Sequence, residues 1–561
     1  MIERINNIND LKNLEEKDLP LLCEDLRELI IKRVEAIGGH LGSNLGIVEI
    51  TVALHYVFDS PKDKFVFDTT HQTYAHKMLT GRKEYFQDPD KYRQISGFST
   101  PAESEHDQFK CGHTSNSVSL AMGLAKGRDI VKENENIVAI IGDGALSGGQ
   151  AFEALDNAGD YKKNLIIVFN DNEMSIAENH GGIYKNFEEL RKSNGKSELN
   201  YFKSMGLDYD YLEEGNDVFK LIELFRKRKD VDHPVVLHIH TLKGIGYKEA
   251  IADKERYHYT SAKNAVYREV ETPVTAIKKY FEELAQKDKK VIGICAGTPG
   301  VFGFYRDFRK KMGEQIVDVG ICEQFEISYA CGIAKMGAKP IVFVSSNFLQ
   351  RAYDQLNHEL AMNKMPVIVM VYGSGISGGD CTHTGLFDMG LITNIPDIRA
   401  YAPATKKELL KILDRETTNC IGPVFIRVPR EFNEIEDYIS DDAKIAIACV
   451  GHAIGLGKQV FDELKAKGIK TNLLKVTDYL NVDAEKLNKY ELVVTIEDTL
   501  LDGGYGEKVD RALAITNVKV MNYGGFKAFN DRVSTKDIRI KNRMESELIV
   551  SDIIDFINQN D

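Results

Sequence analysis

The sequence predicts an α/β fold of three consecutive domains with mainly parallel sheets, and three patterns predict it. Short runs of apolar, largely β-branched residues at 137–141 and 165–169 read as strands buried on both faces. The stretch between them, 148–161, carries apolar residues at helical spacing, so the unit is strand, helix, strand and its two strands should run parallel. The same alternation of strand and helix returns twice further along the chain.

The first domain is expected over residues 1–265, ending in the polar stretch TSAKNAVYREVETP (260–273). Its segment 181–204 is polar and is expected to be mobile. The second domain, 274–431, should contain strands at 291–296, 316–321, 340–346 and 366–373, with helices over 324–336 and 349–362. The third, 432–561, should contain strands at 444–451, 471–476 and 492–498 separated by helical segments. No short repeat or low-complexity tract interrupts this order.

Bulk properties narrow the partners. The 561 residues carry 72 basic and 85 acidic side chains, a formal charge of −13, with no basic block, so electrostatics gives no argument for nucleic acid or an anionic membrane. The eight cysteines are scattered without a Cys-x-x-Cys pair, which argues against a zinc site or a disulfide framework and for a reducing cytoplasm. The amino terminus is charged and unlike a signal peptide, and no apolar stretch approaches the roughly 20 residues of a membrane span. Small-molecule substrates and a second copy of the chain are the expected partners.

The feature richest in chemistry is Gly142-Asp143-Gly144, which leaves the first apolar run and is answered by Asn170-Asp171-Asn172 at the end of the second. Gly-Asp-Gly alone is a common turn. At this spacing, however, Asp143 and Asn172 emerge at the carboxyl ends of neighbouring strands, where open α/β sheets bind ligands. One carboxylate plus one amide oxygen suits Mg²⁺, and Gly142 and Gly144 would let backbone and helix N-terminus approach a diphosphate.

Seven stretches carry a resemblance over nearly the whole chain: GHLGSNLGIVEITVALHYVFDSP (39–61), DTTHQTYAHKMLTGR (68–82), CGHTSNSVSLAMG (111–123), GDGALSGGQAFEALDNAGD (142–160), NDNEMSIAEN (170–179), KGIGY (243–247) and FLQRAYDQ (348–355). They are similar to the 1-deoxy-D-xylulose-5-phosphate synthase family, a branch of the transketolase-like thiamine diphosphate enzymes. The resemblance implies diphosphate-binding, pyrimidine-binding and carboxyl-terminal domains in that order. It also implies a pyruvate donor, a glyceraldehyde 3-phosphate acceptor, thiamine diphosphate, Mg²⁺ and a homodimer. By resemblance Asp143, Asn172 and the carbonyl of Met174 hold the metal. His71, Gly112, His113, Thr114, Gly144, Ala145, Asn172, Tyr247 and Glu323 touch the cofactor. Glu323 would face the aminopyrimidine nitrogen, and burial would help it hold a proton. His40 and His258 would move protons and orient the donor, with Asp380 and His383 as further catalytic residues. His76 is given no chemistry.

Arg351 and Arg430 match family arginines suited to a phosphate or carboxylate. The acceptor region departs from the family. Tyr372-Gly373 stands where a second phosphate-binding arginine is expected, Phe325 follows Glu323-Gln324 in place of histidine, a family tyrosine is replaced around Ser345, and Asp380 and His383 are three apart instead of four. A transketolase-type transfer from a ketose therefore stands as the alternative reaction. A cofactor-binding subunit without catalysis is the non-enzyme alternative, against which the intact Asp143, Asn172, Glu323 and histidines argue.

Overall fold

A computed structural model describes residues 1–265 and 271–560. The boundary expected within 260–273 lies partly outside the described residues. Two compact units form, one from the chain up to that stretch together with 319–322, the other from the remainder. Among the described residues no helix is long and apolar enough to cross a membrane.

In the first unit, β1 (Gly39–His40) is followed by β2 (Lys64–Phe67), β3 (Ile137–Gly142), β4 (Leu165–Asp171), β5 (Asp208–Leu212), β6 (Pro234–His240) and β7 (Tyr259–Thr260). A five-stranded sheet of order β2-β3-β4-β6-β5 is parallel throughout. Its central strands β3, β4 and β6 are mostly apolar and buried because both faces of the sheet are covered. Val138 and Ile140 of β3 enter a core with the helices Leu19–Ile37, Val48–Val57 and Val218–Arg228, while Ile137, Ala139 and Ile141 enter another with Ser117–Val131 and Gly149–Gly159. Each fully buried aliphatic side chain of this kind contributes roughly 1.5–3 kcal/mol. Outside the sheet, β1 and β7 pair antiparallel and set His40 opposite Tyr259.

The second unit contains β8 (Val291–Cys295), β9 (Ile316–Asp318), β10 (Lys339–Ser345), β11 (Ile368–Tyr372), β12 (Arg399–Tyr401) and β13 (Val424–Arg427) in a parallel sheet of order β12-β13-β11-β10-β8-β9. A further parallel sheet, β15-β14-β16-β17, is built from β14 (Ile445–Val450), β15 (Thr471–Val476), β16 (Leu492–Leu500) and β17 (Lys519–Gly525).

Three local expectations need correction. The strand expected over 316–321 is only β9, Ile316–Asp318, because 319–322 leaves the sheet and folds with the first unit. The helix expected over 349–362 is a succession of short turns, Ser346–Leu349, Gln350–Ala352, Tyr353–Gln355 and the wide Leu356–Met362. Turns of mixed width re-aim side chains, as in helices that serve functional sites. The segment 181–204 is folded. Its helix Ile183–Lys192 sends Phe187 and Leu190 into the core, Phe202 follows from the next turn, and Arg191 pairs with Asp171 at 2.5 Å. Polar composition hid three aromatic and aliphatic anchors at core-facing positions.

A buried ionic network fixes the chain after His71. Asp107 accepts hydrogen bonds from His76 Nε2 (2.8 Å), from both terminal nitrogens of Arg82 (2.8 Å each) and from the Thr100 amide (2.7 Å), while His76 Nδ1 lies 2.8 Å from His55 Nε2. His76 lies in the helix Tyr74–Lys77, not in a loop, and its role is structural. Burial disfavours charge on Asp107, yet Arg82 and His76 together hold its carboxyl far below the usual carboxylate range. A depressed carboxyl stabilises the fold above its unfolded pKa, near 3.9, and that stability is lost as pH falls below it. Asp107→Asn, which leaves the buried Arg82 only the more distant Glu103 (3.6 Å) among its ion pairs in the described residues, should cost about 3–5 kcal/mol in urea unfolding at pH 7. The deficit against wild type should shrink as the pH is taken below about 4.

Candidate functional site

The β3–β4 pairing places Gly142 opposite Asn170, so Asp143 and Asn172 leave adjacent strand ends on the same edge of the sheet. Asp143 is buried, and its Oδ2 accepts from the Met174 amide (2.8 Å) and from Asn179 Nδ2 (2.6 Å), which brings the Asn172–Met174 turn onto the carboxylate. Burial, reinforced by the charge of Asp171, pushes the Asp143 carboxyl up to about 7, with Asn179 and Lys243 opposing. The Oδ1 atom of Asn172 is buried with no hydrogen-bond partner. A buried carboxylate strained by a like charge, beside an amide oxygen that accepts nothing, lacks a cation. These oxygens fit a small hard divalent ion. Among the described residues no cluster of three or more His, Cys, Asp or Glu offers a different metal site.

The glycines differ in what they do. A Cβ on Gly144 would lie 2.5 Å from Ser175 Oγ and 2.9 Å from its Cα, so glycine is required there by the protein itself. The position beside Gly142 is open, with only Asn170 O at 4.0 Å. Ala145 opens the short turn Ala145–Ser147 that leads into the helix Gly149–Gly159.

Three histidine rings converge. His40 is 4.6 Å from His71 and 5.5 Å from His258 between ring centroids, and His71 is 5.3 Å from His258. The β1–β7 ribbon brings His40 to the chain next to His258. Asn44, fully buried, donates to the carbonyls of His40 (2.9 Å) and His71 (2.8 Å) and accepts from the Tyr74 amide (3.0 Å). Thr69 and Thr70, just before His71, both have left-handed backbone (φ 60° and 54°), a costly state for β-branched residues that tends to mark functional turns. Desolvation, with Lys243, His71 and His40 nearby, drives the His258 ring well below its usual pKa, so it is neutral at pH 7.

Lys243, the first residue of KGIGY, was not singled out by the sequence and belongs to this centre. It is buried, donates to Ser175 O at 2.5 Å and to His258 Nδ1 at 3.3 Å, and burial lowers its ammonium to about 7. When the Lys243 ammonium donates to Nδ1, the neutral His258 ring carries its proton on Nε2. The signal available was its place just after the end of β6. Asp171, Arg191 and Tyr184 were also missed. Tyr184 donates to the Asp143 carbonyl at 3.1 Å, and His238 Nε2 lies 2.9 Å from Asp171.

The loop Gly112-His113-Thr114 is set by Asp68, whose carboxylate accepts from the amides of Ser115 (2.8 Å) and Ser117 (2.9 Å), while Thr70 donates to Cys111 O (2.8 Å). Tyr247 is less central than expected. Its hydroxyl donates to Glu35 (2.9 Å), and its ring packs on Tyr257, the neighbour of His258, at 5.8 Å.

In the second unit Glu323 begins the helix Glu323–Lys335 and is buried. Burial raises its carboxyl pKa, and Arg351, 3.5 Å away, opposes the rise. Arg351 thus has a partner within the protein that the sequence did not indicate. Phe348 of the same turn lies 5.8 Å from the His383 ring, whose pKa burial lowers. Asp380 accepts from the Thr382 amide at 2.7 Å, and Thr382 Oγ1 lies 2.8 Å from His383 Nδ1. Arg430 donates to the backbone carbonyls of Ser374 (2.9 Å) and Gly375 (3.2 Å), following the end of β11.

Residues 2–200 match the family profile described as 1-deoxy-D-xylulose-5-phosphate synthase, and residues 272–433 match that of the transketolase pyrimidine binding domain. The 1-deoxy-D-xylulose-5-phosphate synthase of Caldanaerobacter subterraneus subsp. tengcongensis is 36% identical over 91% of this chain and 91% of its own length. That of Clostridium tetani is 34% identical over 99% of each. Among solved structures, transketolase from Campylobacter jejuni subsp. jejuni is 16% identical, covering 97% of this chain and 100% of its own, with a TM-score of 0.45. At these identities and lengths, the chain belongs to the 1-deoxy-D-xylulose-5-phosphate synthase family.

Proposed function

We propose that this chain is a cytoplasmic, homodimeric synthase dependent on thiamine diphosphate and Mg²⁺. It would decarboxylate pyruvate and join the remaining two carbons to D-glyceraldehyde 3-phosphate, giving 1-deoxy-D-xylulose 5-phosphate for isoprenoid and thiamine biosynthesis. Residues 1–265, 274–431 and 432–561 would serve as diphosphate-binding, pyrimidine-binding and carboxyl-terminal domains. The observation that carries the reading is the buried Asp143 beside the unpartnered Asn172 oxygen at adjacent strand ends. Family membership favours this reaction over transfer from a ketose.

Thiamine diphosphate, held by these residues, would supply the carbanion chemistry and the electron sink that decarboxylation of a 2-oxo acid requires. The protein's part is to hold, orient and move protons. Asp143, Asn172 and the Met174 carbonyl hold the metal, while His71, Gly112, His113, Thr114, Gly144, Ala145, Asn172 and Tyr247 seat the cofactor. Lys243 adds a positive charge beside Asp143 when a diphosphate is present. Glu323 holds the proton at the aminopyrimidine nitrogen. His40 and His258 exchange protons with the donor, and the neutral His258 can give one from Nε2. Arg351, Asp380 and His383 orient substrates near Glu323, and Arg430 meets the acceptor.

The deciding experiment is carboxyl-labelled pyruvate with an aldehyde panel. Labelled CO₂ together with 1-deoxy-D-xylulose 5-phosphate is expected, and turnover of a ketose phosphate without CO₂ would replace this reading by ketose transfer. Asp143→Ala should fold and lose Mg²⁺-dependent thiamine diphosphate binding in calorimetry, because the divalent ion would lose its carboxylate ligand. Glu323→Gln should lower turnover by about 10²- to 10⁴-fold while changing cofactor affinity far less. Removing the cation beside Glu323 raises its pKa, so Arg351→Met should move the Glu323-dependent limb of the kcat profile to higher pH.

A further inference from the structure

His238 is a polar residue in an apolar place. It is fully buried on β6, with the ring centroids of Phe169 at 4.5 Å, Tyr211 at 5.0 Å, Tyr209 at 5.9 Å, Phe187 at 6.1 Å and Phe202 at 6.4 Å. A phenylalanine would fill such a cage as well as a histidine does, so what the imidazole adds is its two nitrogens. Both are used. Nε2 lies 2.9 Å from Asp171 Oδ2, and Nδ1 lies 2.8 Å from the hydroxyl of Tyr209 on β5. Burial disfavours charge on the ring and a carboxylate only accepts, so Nε2 donates to Asp171 and Nδ1 accepts from Tyr209. A line of hydrogen bonds thus runs across three neighbouring strands, from β5 through β6 to the end of β4. Arg191, on the helix Ile183–Lys192, meets the same Asp171 oxygen.

The other oxygen of Asp171 serves the chain ahead of it. Oδ1 accepts from the Glu173 amide at 3.1 Å, a bond from an aspartate to the backbone two residues on, which is how this side chain shapes a tight turn. Glu173 is exposed and has a left-handed backbone (φ 62°), a state uncommon for a residue with a Cβ. The next amide, that of Met174, donates to Asp143 at 2.8 Å. The stretch pinned by these two bonds carries the Asn172 oxygen that accepts nothing and the Met174 carbonyl.

We propose that Asp171, held from behind by Arg191 and by the Tyr209–His238 pair, is a positioning residue that preforms the Asn172–Met174 turn for a divalent ion. The proposal rests on the metal assignment above and adds to it residues that are not themselves ligands. Groups that orient a ligand in this way change metal affinity about 10- to 100-fold when removed.

The test uses the full-length protein, with Mg²⁺ titrated in a calorimeter in a fixed excess of thiamine diphosphate. Asp171→Ala removes the acceptor that shapes the turn. The double variant His238→Phe, Tyr209→Phe removes the line of hydrogen bonds but keeps aromatic rings in the cage, and exchanging both partners of a bond for apolar groups of like shape is nearly neutral for folding. Both proteins should bind Mg²⁺ about 10- to 100-fold more weakly than wild type. In the double variant the loss should fall on the Mg²⁺ concentration for half-maximal turnover far more than on kcat at saturating Mg²⁺, with a thermal midpoint near that of wild type, a pattern that a merely structural role would not give. Without Mg²⁺, hydrogen exchange at the Glu173 and Met174 amides should be faster in Asp171→Ala than in wild type. Wild-type Mg²⁺ affinity in both variants overturns the proposal and leaves the metal assignment intact. Weakening in Asp171→Ala alone overturns the part given to Tyr209 and His238, and if Asp171→Ala does not fold, the double variant decides. Thiamine diphosphate binding by wild type with no need of Mg²⁺ overturns the metal assignment and this proposal with it. Weakening in both variants of a protein that turns over a ketose instead of pyruvate sustains the proposal and overturns the synthase reading.

Discussion

Parallel pairing of β3 with β4 is the constraint on which the rest of the first unit depends. Parallel strands deliver their carboxyl ends to one edge, and the Gly142–Asn170 register decides which residues meet there. A slip of one residue would turn Asp143 and Asn172 away and expose every second apolar side chain of β3 or β4 to the wrong core. The two apolar faces therefore hold the chemistry in register. Helices cannot pack on both sides of the sheet unless Asp143 and Asn172 also arrive together at its edge.

Electrostatics at this edge makes sense as half of a larger assembly. Asp143 and Asp171 are buried like charges, Lys243 is a buried ammonium, and the oxygen of Asn172 has no partner. Taken alone these groups oppose folding, since each charge loses water without full compensation. A divalent ion and a diphosphate would supply the missing countercharges to both sets. Arg191 pairs with Asp171 from behind, and His238, whose charged form burial disfavours, hydrogen-bonds to the same carboxylate, so Asp143 is the one of the two without an arginine partner among the described residues. The helix Ile183–Lys192 is thereby a support of the site, since Arg191 and Tyr184 both reach the strand-end residues from it.

In the second unit the balance is struck differently. Burial raises the Glu323 carboxyl pKa, and Arg351 at 3.5 Å opposes the rise, so the two influences pull in opposite directions. A proton-transferring group works best when its two states are close in energy. Beyond β13 the ionic pairing follows a second pattern, in which Arg427 takes up the buried Asp388 and Asp498 while Arg430 bonds to backbone carbonyls.

By itself the sequence determined the α/β class and the parallel sheets, and it placed Asp143 and Asn172 beyond the ends of neighbouring strands, because strand periodicity is local and survives in one dimension. It misjudged segment 181–204, where a polar composition outweighed Phe187, Leu190 and Phe202, and it extended the strand after Ile316 because apolar content there does not reveal which unit the residues join. Only the tertiary structure decided that Lys243 and Asn44 tie the histidine loops together, that Arg351 is the counter-ion of Glu323, and that Thr535 meets the loop held by Arg430. Each of those pairs residues far apart in the chain through burial, charge or a backbone carbonyl. Such contacts carry no spacing rule, because the fold rather than the local sequence brings them within reach.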